Sequence, residues 1–186
     1  MSIKQKEHKL SSASMRGRMA YTIMCVEAFL VTQYPDRDWT IIAERMWEAT
    51  DHDWGYWPIM FSNYIPDVVL AYPQYSQSDF GKDIDEETFT ALKQLFSGIT
   101  QGIEDDPNDP LNYLICKPFE MGMVYEGTEI GDGSESFEII DETERMLIKY
   151  SVNLPDYRKV LFSSFEEFYG WGDLFDGRFL SIILNK

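Results

Sequence analysis

Apolar residues recur at helical spacing through most of the chain, and no long run alternates between apolar and polar positions as a half-buried strand would. The stretch from Arg16 to Thr32 is apolar on nearly all sides, which predicts a helix at the centre of the core. Residues 38–49 follow with one apolar stripe, and Asp38 is the expected N-cap. The apolar segment from Ile59 to Leu70 should be interrupted at Pro66.

Longer polar breaks separate the elements in the middle of the chain. Residues 71–85 have the composition of a loop, and Glu86–Ile103 shows one apolar face typical of an amphipathic helix. Asp109 and Pro110 form a suitable N-cap and first-turn pair for the next helix, in which Pro118 predicts a kink or break.

Glycine becomes frequent between Tyr125 and Asp141, which predicts an extended loop or a short hairpin near 125–140. Asp141 is then expected to cap a helix that runs to Tyr150. Further on, Ser164–Glu167 has the pattern of a capping box and predicts a helix start. The apolar segment that follows suits either a helix or a strand.

Together these segments predict a mainly α fold, built as a single compact array of about seven or eight helices. Residues 1–14 are polar, basic and rich in serine, so we expect a loose N-terminal segment there. No linker divides the rest, and residues 15–186 are expected to form a single helical domain. The aromatic fraction of 15% excludes a disordered protein.

The longest apolar run, Met19–Val31, is too short to cross a bilayer, because it has 13 residues where about 20 are needed. No signal peptide precedes it, so the expected location is the cytoplasm, with no membrane partner. Cys25 and Cys116 both lie in apolar helical patterns, which favours two buried reduced thiols over a disulfide.

Acidic residues are concentrated after residue 50. Residues 1–50 carry 7 Lys and Arg against 6 Asp and Glu, whereas residues 51–186 carry 9 against 26. Such a surface repels nucleic acid and attracts basic partners, and association slows as salt screens it. The alternative is that the charge only keeps an aromatic-rich protein soluble.

The triplet Asp51-His52-Asp53 is the first place where chemistry could occur. Adjacent side chains point in different directions, so the triplet alone cannot supply three ligands to one metal ion, and the only other histidine is His8. The plainer interpretation is a polar helix end, followed by the aromatic residues Trp54, Tyr56 and Trp57 as core or as interface anchors.

No other motif points to catalysis or to a cofactor. Residues 131–142 begin like a calcium loop, but Phe137 stands where the EF-hand needs glycine and Thr143 where it needs glutamate. The sequence has no nucleophile elbow, phosphate loop or dinucleotide fingerprint. We therefore expect no catalytic residue, no metal ligand and no cofactor.

In acidity, aromatic content and lack of catalytic motifs, the chain resembles the immunity proteins of bacterial polymorphic toxin and contact-dependent inhibition systems. Three stretches carry the resemblance: Tyr34–Trp57, Glu104–Gly133 and Ser163–Ser181. It implies a protein that binds a co-encoded toxin, often a nuclease, and covers its basic active-site cleft. No residue roles transfer position by position.

The expected contacts with such a basic protein partner lie in the charged loops, because loops carry function and these concentrate charge. The candidate partner-binding residues are Asp51, Asp53, Trp54, Glu104, Asp105, Asp106, Asp109, Glu129, Asp132 and Glu135. Two alternatives remain open: a carboxylate-based hydrolase, with or without a divalent metal, and an acidic adaptor that binds a basic peptide or protein.

Overall fold

Ser14 caps the longest helix that the computed structural model describes, α1 (Met15–Gln33), by accepting a hydrogen bond from the Gly17 amide at 3.0 Å. The structure describes residues 8–81, 83–125 and 128–186. The other α-helices are α2 (Thr40–Trp47), α3 (Trp57–Ser62), α4 (Pro66–Ala71), α5 (Glu86–Phe96), α6 (Pro110–Met123) and α7 (Glu135–Lys149). The described residues contain seven α-helices and no strand, which confirms the mainly α prediction.

Helix α1 is the centre of the array, as its apolar sequence predicts. Every residue from Met15 to Glu27 is buried, and these include the ionic side chains Arg16, Arg18 and Glu27. The helix packs against α6, α7 and the segments 48–50 and 157–160. Because it is covered on all sides, its three buried ionic groups need partners from several distant segments.

Proline and glycine set the helix boundaries between α3 and α5. Pro66 begins α4, so the apolar segment is divided where the sequence predicts. Asp85 caps α5 by accepting from the Thr88 amide at 2.8 Å. The prediction that α5 continues to Ile103 is wrong: it ends at Phe96, and Gly98 adopts the left-handed conformation at φ 75°, which stops a right-handed helix.

The predicted hairpin near 125–140 is also wrong: residues 125 and 128–140 contain no strand, and residues 126 and 127 lie outside the described residues. Helix α7 already begins at Glu135, so Asp141 lies inside the helix and does not cap it. The helix can start early because Gly133 takes φ 69° and closes a tight turn just before it. Pro118 stays within α6, whose bounds run through it.

Residues 150–186 contain no α-helix and cross the surface in short 3-10 turns at 157–160, 168–170 and 177–180. The capping-box pattern forms in part, since the Glu167 carboxylate accepts from the Ser164 amide at 3.1 Å. No α-helix follows, because Phe168 and Tyr169 both adopt left-handed backbone at φ 41° and 57°. The apolar segment near Ile182 forms neither an α-helix nor a strand.

Of the predicted loose segment 1–14, residues 1–7 lie outside the described residues, whereas residues 8–14 are packed. Leu10 and Ala13 are fully buried, and Ala13 forms an isolated β-bridge with Ser164. The Ser14 amide donates to the Ser163 carbonyl at 2.8 Å. Although the polar composition predicts a loose segment, residues 8–14 are therefore held in place by contacts with residues 163–165.

Cys25 and Cys116 are free thiols, the first buried and the second half-buried. No helix within the described ranges combines the length and the apolarity that crossing a bilayer requires.

Candidate functional site: the Arg16 groove

A groove opens beside the first turn of α1, and we call it the Arg16 groove. It consists of two cavities of about 280 and 440 Å³, which share Arg16, Asp53 and Phe168 in their walls. Trp54 and Trp171 line the first cavity, and the second is completed by residues 172–174. The groove thus joins the turn after α2 to the C-terminal segment.

Arg16 lies at the floor of this groove with an exposed fraction of 7%, and only part of its guanidinium is paired. Nη1 donates to the carbonyls of Ala49 at 3.0 Å and His52 at 2.9 Å. Nε is buried and has no hydrogen-bond partner. Burial lowers the pKa of Arg16, and the charges of Asp53 and Asp51 oppose that shift, so the floor remains a cation at neutral pH.

Two indole rings form the apolar wall of the groove. Trp54 and Trp171 meet edge to face with ring centroids 5.2 Å apart. The guanidinium of Arg16 lies over the Trp54 ring at 5.6 Å from its centroid, a cation–π contact. Trp54 Nε1 donates to the Ala49 carbonyl at 2.5 Å, which fixes this ring to the same carbonyl that holds Arg16.

Phe168, which lines both cavities, forms a strained and exposed aromatic pair with the next residue, Tyr169. Phe168 is 65% exposed and Tyr169 is 91% exposed, and both hold left-handed backbone that L-residues rarely adopt. Nothing in the described fold covers them. Further exposed apolar side chains lie along the same segment: Phe162, Leu174, Phe179 and Ile182.

The structure brings three of the sequence-predicted residues to the groove or its edge. Asp53 is exposed and lines both cavities. Asp51 pairs with Arg178 at 2.5 Å and also contacts the His52 ring. Burial opposes ionisation of Asp51, but the hydrogen bonds from Arg178 and His52 outweigh it and lower its pKa. Trp54 is buried, so it serves as a wall of the groove and not as an exposed anchor.

The glycine-rich turn supplies a second predicted group next to the groove. Glu129, Asp132 and Glu135 line a cavity of about 350 Å³ that shares Tyr125 and Thr128 with the first half of the Arg16 groove. Asp132 accepts from the Ser134 amide at 3.1 Å, and hydrogen bonds from the side chain and the amide of Ser134 lower the pKa of Asp132. Two of the predicted acidic groups are therefore neighbours in the fold.

The third predicted group, residues 104–109, shares no lining residue with the groove. Asp109 is buried, and its carboxylate accepts from the Thr100 hydroxyl at 2.6 Å and from the Gln101 and Gly102 amides. This side chain folds back on its own loop and is not available to a partner. Asp106 accepts from the Asn108 amide at 2.8 Å, whereas Glu104 and Asp105 are exposed.

Within the described residues, no group of three or more His, Cys, Asp and Glu side chains is arranged to hold a metal ion. The thiols do not point to nucleophilic chemistry either, because burial raises the pKa of Cys25 and of Cys116 well above the usual range. The distinctive chemistry of the groove is a buried cation beside aromatic rings.

Comparison of the chain with protein-family models, with curated protein sequences and with solved structures gives no match.

Sequence reasoning missed Arg16, Trp171 and the pair Phe168–Tyr169. A usable signal was present for Arg16: Arg16 and Arg18 open a helix that is mostly apolar, with no acidic residue three or four positions away from either. Two cations placed at i and i+2 on such a helix must find partners outside it. For the aromatic pair, the capping-box pattern of Ser164–Glu167 predicted a helix at the positions where Phe168 and Tyr169 form a strained turn.

Proposed function

We propose that this chain is an immunity-type inhibitor: it binds a basic protein toxin in the cytoplasm and covers the toxin's active-site cleft. The observation that carries this proposal is the exposed pair Phe168–Tyr169. Left-handed backbone at two consecutive aromatic residues costs free energy in the isolated protein, on the order of 1 kcal/mol or more for each. Burial of both rings against a partner would offset that cost in free energy.

The composition of the surrounding surface supports a partner of opposite charge. Exposed carboxylates lie along the chain beside the aromatic pair at Glu166 and Asp173, and others at Asp53 and Glu129 line the groove and its neighbouring cavity. Residues 51–149 carry 21 acidic and 5 basic side chains. Aromatic anchors inside a charged rim are the usual anatomy of a tight protein interface. A second copy of this chain is a poor occupant, because two molecules of net charge −16 repel each other.

The mechanism follows from these two components. The acidic surface would steer a cationic partner into encounter and set an association rate that falls with ionic strength. The aromatic pair would then be buried at the contact and set the dissociation rate. Inhibition needs no chemistry from this chain, since a bound inhibitor excludes substrate from the cleft.

The test begins with the protein encoded next to this chain. The two are purified separately, their binding is measured by surface plasmon resonance, and the neighbour's toxic activity is assayed with and without this chain. We expect saturable binding, loss of that activity at one equivalent, and an association rate that drops as salt rises. Tyr169→Ala should weaken binding by about 30-fold, the size of a hot-spot loss of ~2 kcal/mol. Ile148→Ala, which truncates an exposed apolar side chain on α7, is the matched control and should bind as the wild type.

The charge component has its own matched pair of variants. Glu129→Gln with Glu166→Gln should slow association at low salt, whereas Asp36→Asn with Glu44→Gln makes the same change in net charge elsewhere and should slow it less. Binding without loss of the neighbour's activity would favour the adaptor alternative. Turnover of a substrate by the purified chain alone, lost in a single carboxylate variant, would favour the hydrolase alternative.

A further inference from the structure

The floor of the Arg16 groove has unused hydrogen-bonding capacity. Nη1 of Arg16 is committed to two main-chain carbonyls, but no hydrogen bond joins Nη2 to any residue in the described part of the chain. Nε of the same side chain is fully buried and unpaired, whereas Nη2 is not fully buried. A guanidinium donor is therefore left facing the groove, where its side chain forms part of both cavities.

No carboxylate in the described fold takes up this donor. Asp53 lines the same groove, yet it forms no ion pair with Arg16 within 4.0 Å, and the carboxylate instead accepts from the Gly55 amide at 3.0 Å. A buried arginine that is only partly paired is costly, and proteins usually satisfy such a group with an anion. The fold holds the cation in place through the Ala49 and His52 carbonyls.

The rest of the groove suits a flat apolar body. Trp54 and Trp171 line the 280 Å³ cavity, and the Phe168 ring stands at the junction of the two cavities. The second cavity adds Leu174, which is 60% exposed. Such a combination, apolar walls with one placed polar group, is characteristic of small-molecule sites.

We propose that the Arg16 groove binds a small ligand that carries one carboxylate on a flat aromatic or apolar body, the carboxylate pairing with Arg16 and the body lying against Trp54, Trp171 and Phe168.

The charge of the groove selects a singly charged acid. A guanidinium presents its donors in a fork that matches carboxylate geometry. A phosphate dianion would meet only this one cation, with Asp53 and Asp173 nearby and a net charge of −16 on the whole chain. A cationic ligand would face the guanidinium directly. This site shares Phe168 and Asp53 with the surface proposed to bind a partner, but Tyr169, Glu129 and Glu166, whose variants test partner binding, do not line it.

The probe is 3-phenylpropanoate, and its neutral amide, 3-phenylpropanamide, is the control of matched shape. Neither absorbs where tryptophan is selectively excited, so Trp54 and Trp171 can report binding through their emission. We expect a saturable emission change with the acid and at least tenfold weaker binding of the amide, because the charge-assisted hydrogen bond is lost. Isothermal titration calorimetry should give the same dissociation constant.

Variants locate the site. Arg16→Gln should weaken acid binding at least tenfold and abolish the preference for the acid over the amide. Arg158→Gln, which removes an exposed arginine that does not line the groove, should change neither. If Arg16→Gln fails to fold by circular dichroism, Phe168→Ala decides: its exposed ring can be removed, and binding should weaken about three- to tenfold, whereas Phe179→Ala should have no effect.

The proposal is overturned if 3-phenylpropanoate produces no saturable response up to its solubility limit. It is equally overturned if acid and amide bind alike, or if both Arg16→Gln and Phe168→Ala fold and bind the acid as the wild type does. Each of these results can occur while the toxin is still bound and inhibited, so failure here is distinguishable from failure of the proposed function.

Discussion

Ser181 donates a hydrogen bond of 2.6 Å to the buried carboxylate of Glu27, across 154 positions of sequence. The same carboxylate accepts from Trp47 Nε1 at 2.8 Å and from the Ile182 amide at 2.8 Å. Glu27 is fully buried on α1. One side chain therefore ties α1, α2 and the C-terminal segment together.

Glu27→Gln should destabilise the protein by about 1–3 kcal/mol at neutral pH. The carboxylate accepts three hydrogen bonds, and an amide in its place turns an N–H toward at least one of these donors and leaves it unpaired. Urea denaturation followed by tryptophan fluorescence measures the change. Glu44→Gln, an exposed position on α2, is the control and should stay within about 0.5 kcal/mol of the wild type. An equal loss in both variants would contradict this account.

The pH dependence of that difference has a defined sign. Burial raises the pKa of Glu27, and the hydrogen bonds from Ser181, Trp47 and Ile182 only partly oppose the shift. The folded protein then holds the Glu27 proton more tightly than the unfolded chain does. The stability of the wild type relative to Glu27→Gln should accordingly fall as pH rises from below about 4.5 through the folded pKa. A relative stability that rises over this range would show that the folded pKa is depressed.

The ion pair between Asp51 and Arg178 should contribute a small, salt-dependent coupling. It joins the turn after α2 to the last 3-10 turn, and both side chains are about one third exposed, at 27% and 34%. A double-mutant cycle with Asp51→Asn and Arg178→Gln should give a coupling of about 0.5–1 kcal/mol, which falls in 1 M salt. Because the pKa of Asp51 is lowered, the coupling persists above its unfolded pKa and disappears as pH falls through the folded one. A coupling unaffected by salt would contradict an ionic origin.

Arg18→Lys should cost on the order of 3 kcal/mol, although it keeps the charge. Arg18 is fully buried and donates to the Gly133 carbonyl at 2.7 Å, the Ser136 hydroxyl at 2.9 Å and the Ser11 carbonyl at 3.1 Å. Its guanidinium also lies over the Phe165 ring at 4.7 Å from the centroid. A lysine ammonium cannot reproduce this planar fork. Thermal and urea denaturation measure the loss, and Arg158→Lys at an exposed site should be nearly neutral.

Gly172→Ala should be more destabilising than Gly98→Ala, even though both glycines have left-handed backbone at φ 81° and 75°. A Cβ at residue 98 meets nothing within 4 Å, so this variant reports backbone strain alone, about 1–2 kcal/mol. A Cβ at residue 172 would come within 2.6 Å of the Ser14 Cβ, at the N-cap of α1. The extra overlap should raise the loss above about 3 kcal/mol. Equal losses in denaturation experiments would mean that this contact relaxes freely.

The helices that the sequence predicts best are those in which local and tertiary preferences agree. The apolar stretch behind α1 and the single stripe of α5 both appear at the expected places. The ends are less predictable, because one glycine decides them: Gly98 stops α5, whereas Gly133 permits α7 to begin before Asp141. Composition alone could not distinguish a flexible loop from a tight turn that leads into a helix.

The candidate site was predictable only in part, because it depends on long-range pairing. Asp53 and Trp54 were identified from their charge and aromatic character. Their neighbours Trp171 and Phe168 lie more than 100 positions away, and no periodic pattern connects such segments. Asp109 shows the opposite error: an acidic loop predicts exposure, but three amides and a hydroxyl draw its carboxylate inward.

The dependence of α1 on residues 163–182 also dictates when during synthesis the core can close. Translation produces α1 early, with Arg18 and Glu27 already on it, but the Ser163, Trp171 and Ser181 contacts that cover this helix are made well over a hundred residues later. Until then the apolar surface of α1 is exposed in the nascent chain and its charges are unpaired. Such a state is prone to aggregation and is bound by chaperones. The contact between Glu27 and Ser181 can form only after residue 181 has left the ribosome, so α1 stays incompletely covered until then.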